Sequence, residues 1–338
     1  MSETKERKHW LDIGKGLAML CIMWVHIHDL FPWMAGQIIQ PFYLSFFFIA
    51  SGVVFSQKGS FKEFLLNKCR SLLIPLFCLS TISILTSQIV STGSHSLIED
   101  FKGLFLQIRG KDDYMWFVAC LFLSEIIFYF VVLVKNTYTK WAIYITGLCL
   151  SIFLYKSGVP SLPWHLETMG VSVFFLGVGY EIHAHSEQLT KFSGIKYLFI
   201  GALLFALLLI FKIVQLKDYN VVQINAYESN ALVWTGISMI SCFAFIQAII
   251  CINRCELLEF IGRNTLIYFA FQTKFQRILE IVFKKLNFYS LPLSKYYLGI
   301  LIVVIEALCL AVVAIIFNRY FYFLLGRKKP MLSQDKNK

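Results

Sequence analysis

Residues 298–317 read LGILIVVIEALCLAVVAIIF, an apolar run in which Glu306 is the only charged side chain. A helix needs about 20 mainly apolar residues to cross the hydrocarbon core of a bilayer, so this run is long enough to span one. Similar runs recur throughout the chain, which is 58% hydrophobic and only 15% charged. A soluble domain carries roughly 25% charged residues, so this chain has too little polar surface to cover itself in water. The composition therefore predicts an all-α polytopic membrane protein.

The apolar runs predict about ten transmembrane helices within a single domain that covers residues 1–338. They lie near 13–31, 38–56, 71–91, 115–134, 140–156, 169–183, 195–214, 231–252, 264–283 and 297–325. Most Lys and Arg residues fall in the segments that share a side with the two termini, and loops rich in these residues stay in the cytoplasm. We therefore expect an N-in/C-in topology, a basic cytoplasmic tail from about 327 to 338, and a multi-pass protein of the inner cell membrane.

The net charge of +11 does not indicate a nucleic-acid surface, because the 31 Lys and Arg are scattered in small groups between apolar runs. Most of the nine cysteines lie within apolar runs, where a free thiol behaves as a small hydrophobic group, and no CxxC pair occurs. We therefore expect the lipid bilayer as the surroundings, no nucleic-acid partner, no metal site and no permanently bound cofactor.

The first predicted helix carries the densest cluster of ionisable residues: Asp12, Lys15, His26 and Asp29. Such residues cost about 2.5–3.5 kcal/mol each within a span, so each is a candidate for function. Lys15 and His26 are separated by three helical turns and about 16 Å of rise, which places them on nearly the same face. Asp29 lies within reach of the His26 ring. The alternative is that Asp12 and Lys15 anchor the helix at the interface, His26 is a hydrogen-bonded core histidine, and Asp29 belongs to the outer loop.

Further polar and aromatic residues stand at the ends of other apolar runs. Lys68 and Arg70 enter the third, Trp116 opens the fourth, and Trp164 and Glu167 precede the sixth. Taken singly, the cations are explained by the positive-inside rule and the tryptophans by the interfacial aromatic belt.

Taken together, in this order and spacing, these motifs resemble the acyltransferase-3 family of integral membrane acyltransferases, and most closely its fucose-4-O-acetylase-like branch. The most specific likeness is Leu11-Asp-Ile-Gly-Lys-Gly-Leu-Ala…His26, a basic residue and a histidine with ten residues between them. Most members have Arg where this chain has Lys15, and they often have His near the position of Gln272. The likeness extends to Arg70…Pro75, Trp116-Phe117, Leu162-Pro-Trp-His-Leu-Glu-Thr168, Gly177-Val-Gly-Tyr180 and Ile261-Gly-Arg-Asn-Thr265.

The resemblance implies a membrane-embedded O-acetyltransferase that moves an acetyl or other acyl group from acyl-CoA to a hydroxyl of a sugar, glycan or lipid-linked glycan precursor. Acyl transfer to a hydroxyl needs a base, a partner for the thioester oxyanion and a site for the polyanionic donor. His26 suits the base, with Asp12 or Asp29 as an orienting carboxylate. The implied donor-binding residues are Lys15, Lys68 and Arg70, and the implied acceptor-binding residues are Trp116, Trp164 and Glu167.

A transporter or flippase of a glycan precursor is the alternative from another class. Its expected marks are ion-coupling carboxylates at mid-membrane and repeat symmetry between the two halves. Glu125 and Glu306 are the candidates for such carboxylates, and no internal repeat is visible. A non-catalytic membrane subunit is disfavoured by the clustered ions of the first helix. The identity of the acceptor and the oligomeric state, including a homo-oligomer, stay open.

Overall fold

The computed structural model describes residues 8–27, 30–57, 59–90, 96–108, 115–186, 194–224, 230–252, 254–287 and 295–328. These ranges contain helices and no β-strand, which confirms the all-α prediction. The helices are α1 (His9–Val25), α2 (Trp33–Val54), α3 (Phe61–Lys68), α4 (Ile74–Val90), α5 (Leu97–Leu106), α6 (Trp116–Val132), α7 (Thr137–Lys156), α8 (Met169–Ala184), α9 (Ile195–Ile210), α10 (Ala231–Ile250), α11 (Glu256–Arg263), α12 (Thr265–Lys285) and α13 (Lys295–Tyr320). A π-helical turn, Cys69–Leu73, joins α3 to α4, and another, Phe211–Gln215, extends α9. Short 3-10 helices occupy Pro163–Thr168 and Tyr322–Leu325.

Within the described ranges, 5 helices are long and apolar enough to cross a membrane. They are Trp33–Val54, Phe61–Gln88, Ile195–Gln215, Ala231–Ile250 and Tyr296–Tyr320. They coincide with the second, third, seventh, eighth and tenth predicted spans, and α6 is a shorter apolar helix in the position of the fourth. These helices indicate a multi-pass membrane protein. The count of ten spans and the placement of both termini in the cytoplasm stay predictions.

The first and third predicted spans differ from the observed helices at their ends. The predicted first span covers 13–31, but α1 ends at Val25, because the Ile27 amide donates to the Trp24 carbonyl (3.1 Å) and tightens the last turn. His28 and Asp29 lie outside the described residues. The predicted third span begins at residue 71, but its helix begins ten residues earlier, at Phe61. Ser60 and Glu63 form a capping box there, which satisfies the first amides of α3.

Helix α1 lies in the interior of the bundle, where it packs against α2, α10, α11, α12 and α13. Its contact with α11 is close because two glycines face backbone carbonyls across it. A Cβ atom on Gly16 would lie 2.1 Å from the Leu258 carbonyl oxygen, and one on Gly262 would lie 1.9 Å from the Asp12 carbonyl oxygen. Small residues at such positions allow helix backbones to approach each other within a membrane. The contact places the N-terminal half of α1 beside the polar side chains of α11.

Candidate active site

A cavity of about 570 Å³ opens beside the C-terminal end of α1, and we call it the His26 cavity. Its wall carries His26, the indole of Trp116 and several uncharged polar side chains. These are Gln40, Tyr43, Ser80, Ser83, Gln223, Gln272 and Thr273. No Asp, Glu, Lys or Arg is among its lining residues in the part of the chain that the structure describes. Such a mixture of aromatic, apolar and uncharged polar groups suits a small neutral ligand rich in hydrogen-bonding groups.

The imidazole of His26 is oriented by the helix that carries it. Its Nδ1 atom lies 2.7 Å from the backbone carbonyl oxygen of Ile22, one turn earlier. A carbonyl oxygen only accepts, so Nδ1 carries the proton that makes this bond. The neutral ring then has its lone pair on Nε2, which is the atom able to accept a proton from a ligand. This orientation comes from α1 itself.

A side chain from α12 forms a hydrogen bond with the last turn of α1, next to His26. Because the Ile27 amide turns to Trp24, the Met23 carbonyl loses its helical donor. The Gln276 amide nitrogen takes that place at 2.8 Å and also donates to the buried Glu306 carboxyl group at 3.0 Å. Gln276 therefore caps the turn that carries His26, and Glu306 orients the capping amide.

The second deep carboxylate of the sequence also has a structural partner. Glu125 of α6 is buried, and its carboxylate lies 2.7 Å from the ammonium of Lys68. Phe55 and Phe64 lie within 5.9 Å and 5.5 Å of the same ammonium group. With Glu306 bonded to Gln276 and Glu125 paired with Lys68, both carboxylates that a transporter would use for ion coupling are engaged in packing between helices.

Trp116 is the one of the three predicted acceptor residues that lines the His26 cavity. Its indole packs against the buried imidazole of His165, with 4.9 Å between ring centroids. His165 and the preceding Trp164 both adopt left-handed backbone angles, with φ values of 55° and 59°. Such angles are strained for residues other than glycine and persist only where the surrounding packing enforces them. The strained turn therefore forms the backing of Trp116.

Glu167 and Trp164 are bonded within this backing and are not among the residues that line the cavity. The Glu167 carboxylate lies 3.4 Å from His165 Nδ1 and accepts hydrogen bonds from Ser161 and the Leu162 amide. Burial raises the pKa of Glu167, but these hydrogen bonds lower it further, so its pKa falls below the usual value. The indole of Trp164 donates to the Phe105 carbonyl at 2.9 Å. Their contact with an acceptor stays a prediction.

A network of charges ties the other end of α1 to α11. Asp12 lies 2.9 Å from the Lys15 ammonium and 3.8 Å from the Arg263 guanidinium. Arg263 also donates to Glu259 at 2.8 Å, and His9 lies 3.0 Å from the same carboxylate. Asp12 is about 21 Å of helical rise from His26, so its carboxylate orients cations here and does not touch the imidazole.

Two adjoining depressions lie at this end of the bundle, which we call the basic end, and they share Ser71 and Gly326. The first depression, about 380 Å³, is also lined by Asn67, Lys68, Arg70 and Lys328. The second, about 240 Å³, is also lined by Arg263, Asn264, Leu266, Ile267, Leu325 and Arg327. Neither lining contains a carboxylate among the described residues, so both depressions suit an anionic ligand.

The structure thus divides the predicted site residues between two ends of the bundle. His26 and Trp116 meet at the cavity, whereas the predicted donor residues Lys15, Lys68 and Arg70 lie at the basic end. The motifs predict no role for the polar lining of the cavity or for the arginines of the second depression. Arg263 lies within the Ile261–Thr265 motif, and Gln272 stands near the position where family members often have His. Arg327 and Gln223 carry no local signal, since distant parts of the chain bring them to the site.

Glu259 gives a pH-dependent prediction for the charge network. Burial raises its pKa, but its bonds with His9 and Arg263 lower it below the usual 4.5. A carboxylate with a lowered pKa in the folded state adds stability above its unfolded pKa, and this stability is lost as the pH falls through the folded pKa. We expect Glu259→Gln to lower the melting temperature by a few degrees at neutral pH, with the difference shrinking below pH 4.5. Thermal unfolding in detergent across this range measures both effects.

The control for this prediction is Glu256→Gln, on the same helix. Glu256 is 84% exposed, and its pair with Arg254 is open to solvent, so its removal is expected to leave the melting temperature unchanged. A Glu259→Gln variant that is equally destabilised at every pH would contradict an ionised, paired Glu259.

In a comparison with known protein families, one family model matches nearly the whole chain. The family model described as an acyltransferase domain matches residues 8–326, from the start of α1 to Gly326, and so includes His26 and both depressions. A search of curated proteins and a search of solved structures each found no significant match. The family match agrees with the motifs of the first helix, and the apolar helices agree with a multi-pass protein. The chain therefore belongs to the acyltransferase-3 family of membrane acyltransferases.

Proposed function

We propose that this protein is an O-acyltransferase that moves an acetyl or other acyl group from acyl-CoA to a hydroxyl of a sugar, glycan or lipid-linked glycan precursor. One observation carries the proposal: helix α12 lines both the second depression and the His26 cavity. Ile267 belongs to the depression, and Ala270, one turn and about 4.5 Å further on, belongs to the cavity. A polyanionic head bound at the basic end thus has a short path to the histidine.

The donor has the charge and shape for this path. Its phosphates suit Arg70 and Lys68 in the first depression and the cations around the second. Lys15 contributes to the second depression through Asp12, which holds Arg263. The pantetheine arm would follow the contact between α4 and α12 and bring its thioester to His26. The proposal places the basic end at the cytoplasmic face of the inner membrane, where acyl-CoA is present.

The acceptor would occupy the His26 cavity. Sugar hydroxyls can bond with side-chain amides and hydroxyls such as those of Gln40, Ser80 and Ser83, and the apolar face of a sugar ring can stack on Trp116. The absence of charged side chains from the described lining favours an uncharged sugar. A neutral deoxyhexose, which the fucose-4-O-acetylase-like resemblance implies, has this character.

The reaction then uses His26 twice. Its Nε2 atom takes the proton of the acceptor hydroxyl as that oxygen forms a bond with the thioester carbonyl carbon. The resulting oxyanion needs a donor, and the buried Gln272, which lines the cavity, has an amide N–H for that role. When the C–S bond breaks, the protonated imidazole returns the proton to the CoA thiolate. The products are the acyl ester and CoA, and the net proton balance is zero.

Purified protein in detergent, incubated with acetyl-CoA and a panel of neutral and acidic sugars, tests the proposal. Release of CoA thiol together with a sugar that gains one acetyl group by mass spectrometry is the expected result. Translocation of a glycan precursor in vesicles without CoA consumption would favour the transporter instead. Acetylation restricted to acidic sugars would contradict the neutral acceptor and leave the transfer reaction in place.

Replacing Lys15 by alanine is expected to raise the KM for acyl-CoA by about 10- to 100-fold, the equivalent of one charge-assisted hydrogen bond. Without the Lys15 ammonium, the Asp12 carboxylate pairs with Arg263 alone. The Arg263 guanidinium is then less available to the phosphates of the donor. The KM for the acceptor should stay within about twofold, because Lys15 is about 16 Å of helical rise from His26. Steady-state kinetics with each substrate varied in turn measure both constants.

The matched control for Lys15→Ala is Lys62→Ala, which removes an exposed ammonium that lines neither depression. Lys62→Ala is expected to leave both constants unchanged. Equal loss of donor and acceptor binding in Lys15→Ala would refute its role at the donor site.

A further inference from the structure

The last described residues of the chain are seated against the π-helical turn Cys69–Leu73. The 3-10 helix Tyr322–Leu325 leads to Gly326, whose carbonyl accepts a hydrogen bond from Arg70 Nε at 2.7 Å. Gly326 has a φ of 67°, and a Cβ atom there would lie 1.9 Å from the Arg70 carbonyl oxygen. Glycine alone meets both conditions without strain. The close contact holds this C-terminal segment at the basic end.

Arg327 fastens the same segment to the junction of α11 and α12. Its guanidinium donates to the Asn318 side chain and, at 3.0 Å, to the Arg263 carbonyl. Asn318 in turn donates to Asn264 at 2.8 Å, and both asparagines are buried. Two of the bonds of Arg327 thus go to uncharged oxygens, those of the Asn318 side chain and the Arg263 backbone. The segment presents Arg327 to the second depression and Lys328 to the first.

The two depressions share Ser71 and Gly326 but carry separate groups of cations. Lys68, Arg70 and Lys328 belong to the first, and Arg263 and Arg327 to the second. Lys68 is also paired with Glu125, and Arg263 with Asp12 and Glu259. Two adjoining cationic sites match a ligand with two separated phosphate groups, because each phosphate then meets its own donors. Coenzyme A has this form, with a diphosphate that bears the pantetheine arm and a separate 3′-phosphate on the ribose.

We propose that the C-terminal segment completes a bipartite phosphate site, in which the second depression binds the diphosphate of CoA and the first binds its 3′-phosphate. The inference rests on the proposed function. Ile267 of the second depression precedes Ala270 of the His26 cavity by one turn of α12, so this depression suits the diphosphate, from which the pantetheine arm departs. None of the described residues that line the first depression belongs to α12, and this depression carries the exposed Lys328, so it suits the terminal phosphate.

Calorimetric binding of CoA and of dephospho-CoA, which lacks the 3′-phosphate, tests the assignment with the full-length protein in detergent at low ionic strength. The unsubstituted protein should bind CoA at least about tenfold more tightly than dephospho-CoA, as for one charge-assisted contact. Lys328→Ala should lower CoA affinity by about fivefold, the value of an exposed ion pair, and leave dephospho-CoA affinity within about twofold. Unchanged binding of dephospho-CoA also shows that the variant is folded. Lys62→Ala should change neither affinity.

Two outcomes would overturn the assignment. Equal affinity of the unsubstituted protein for CoA and dephospho-CoA would exclude a 3′-phosphate site. An unchanged affinity ratio in Lys328→Ala would exclude the C-terminal segment from it. Either result leaves the proposed function intact as long as acetyl-CoA still supports transfer. Absence of CoA binding together with absence of transfer would overturn both the assignment and the proposed function.

Discussion

Replacing His26 by alanine is expected to lower kcat for acyl transfer by about 10²- to 10⁴-fold, the range that a positioned general base contributes. The variant loses the Nε2 lone pair of an imidazole that lines the cavity and is oriented by the bond between Nδ1 and the Ile22 carbonyl. The affinity for CoA should change by less than about twofold, because the cations of both depressions lie at the opposite end of α1. Single-turnover transfer and CoA binding, measured on the same preparation, separate the two quantities.

A second substitution separates the loss of the base from the loss of a structural contact. In His26→Asn the side-chain amide can still donate to the Ile22 carbonyl but has no basic lone pair, so we expect it to be as inactive as His26→Ala. His185→Ala is the matched control, since this imidazole lies at the end of α8 and contacts Glu181 outside the cavity. It should retain full activity. A folded His26→Ala protein with full acyl transfer would refute His26 as the base.

The part of the site that the sequence predicted best is the part carried by one helix. A fixed rise and rotation per residue turn the spacing of Lys15 and His26 into a direction and a distance. In the structure Lys15 pairs with Asp12, and His26 lines the cavity. The partners of Lys15 and His26 were harder to predict. Arg327 reaches the basic end only because α13 and the segment after it return to the start of the third span. There Gly326 accepts a hydrogen bond from Arg70, which lies 256 positions earlier in the chain.

Trp164 and Glu167 show why proximity to a span end is a weak guide to the side chains that line a cavity. The resemblance implies an acceptor-binding role for them and for Trp116, and they lie on the turn that backs Trp116. Two successive left-handed residues direct that turn, and this backbone conformation has no signature in hydropathy or composition. The indole and the carboxylate therefore form internal hydrogen bonds, which the pattern of apolar runs did not predict.

Hydropathy also overstated the length of the first span. An apolar run indicates that a segment avoids water, but lipid and neighbouring helices provide such surroundings equally well. Helix α1 is enclosed by five other helices, so its apolar surface reflects packing within the bundle, and its end is set by the turn at Ile27. The same reasoning explains why polar groups such as Asp12 are accommodated on it, since α11 supplies their partners.

Replacing Gly262 by alanine is expected to cause the largest loss of stability, despite the higher helix propensity of alanine. The added Cβ atom would lie 1.9 Å from the Asp12 carbonyl oxygen, a backbone atom that moves only if α1 moves with it. Separation of α1 from α11 would break the contact of Asp12 with Arg263 and that of His9 with Glu259. We expect a loss of about 4 kcal/mol or more, which in a membrane protein is seen as low yield of folded protein and early aggregation on heating.

Gly236→Ala makes the same chemical change in an uncrowded place and so isolates the effect of the contact. Gly236 lies within α10, and its added Cβ atom would meet only the Leu208 side chain, at an ordinary 3.5 Å. Helix propensity then favours alanine by up to about 1 kcal/mol, so the variant should melt at or slightly above the temperature of the unsubstituted protein. If Gly262→Ala had the same melting temperature as Gly236→Ala, the close approach of α1 and α11 would not be required for folding. The contact of both Lys15 and Arg263 with the Asp12 carboxylate would then need another explanation, because only the close approach of the two helices brings Asp12 to α11.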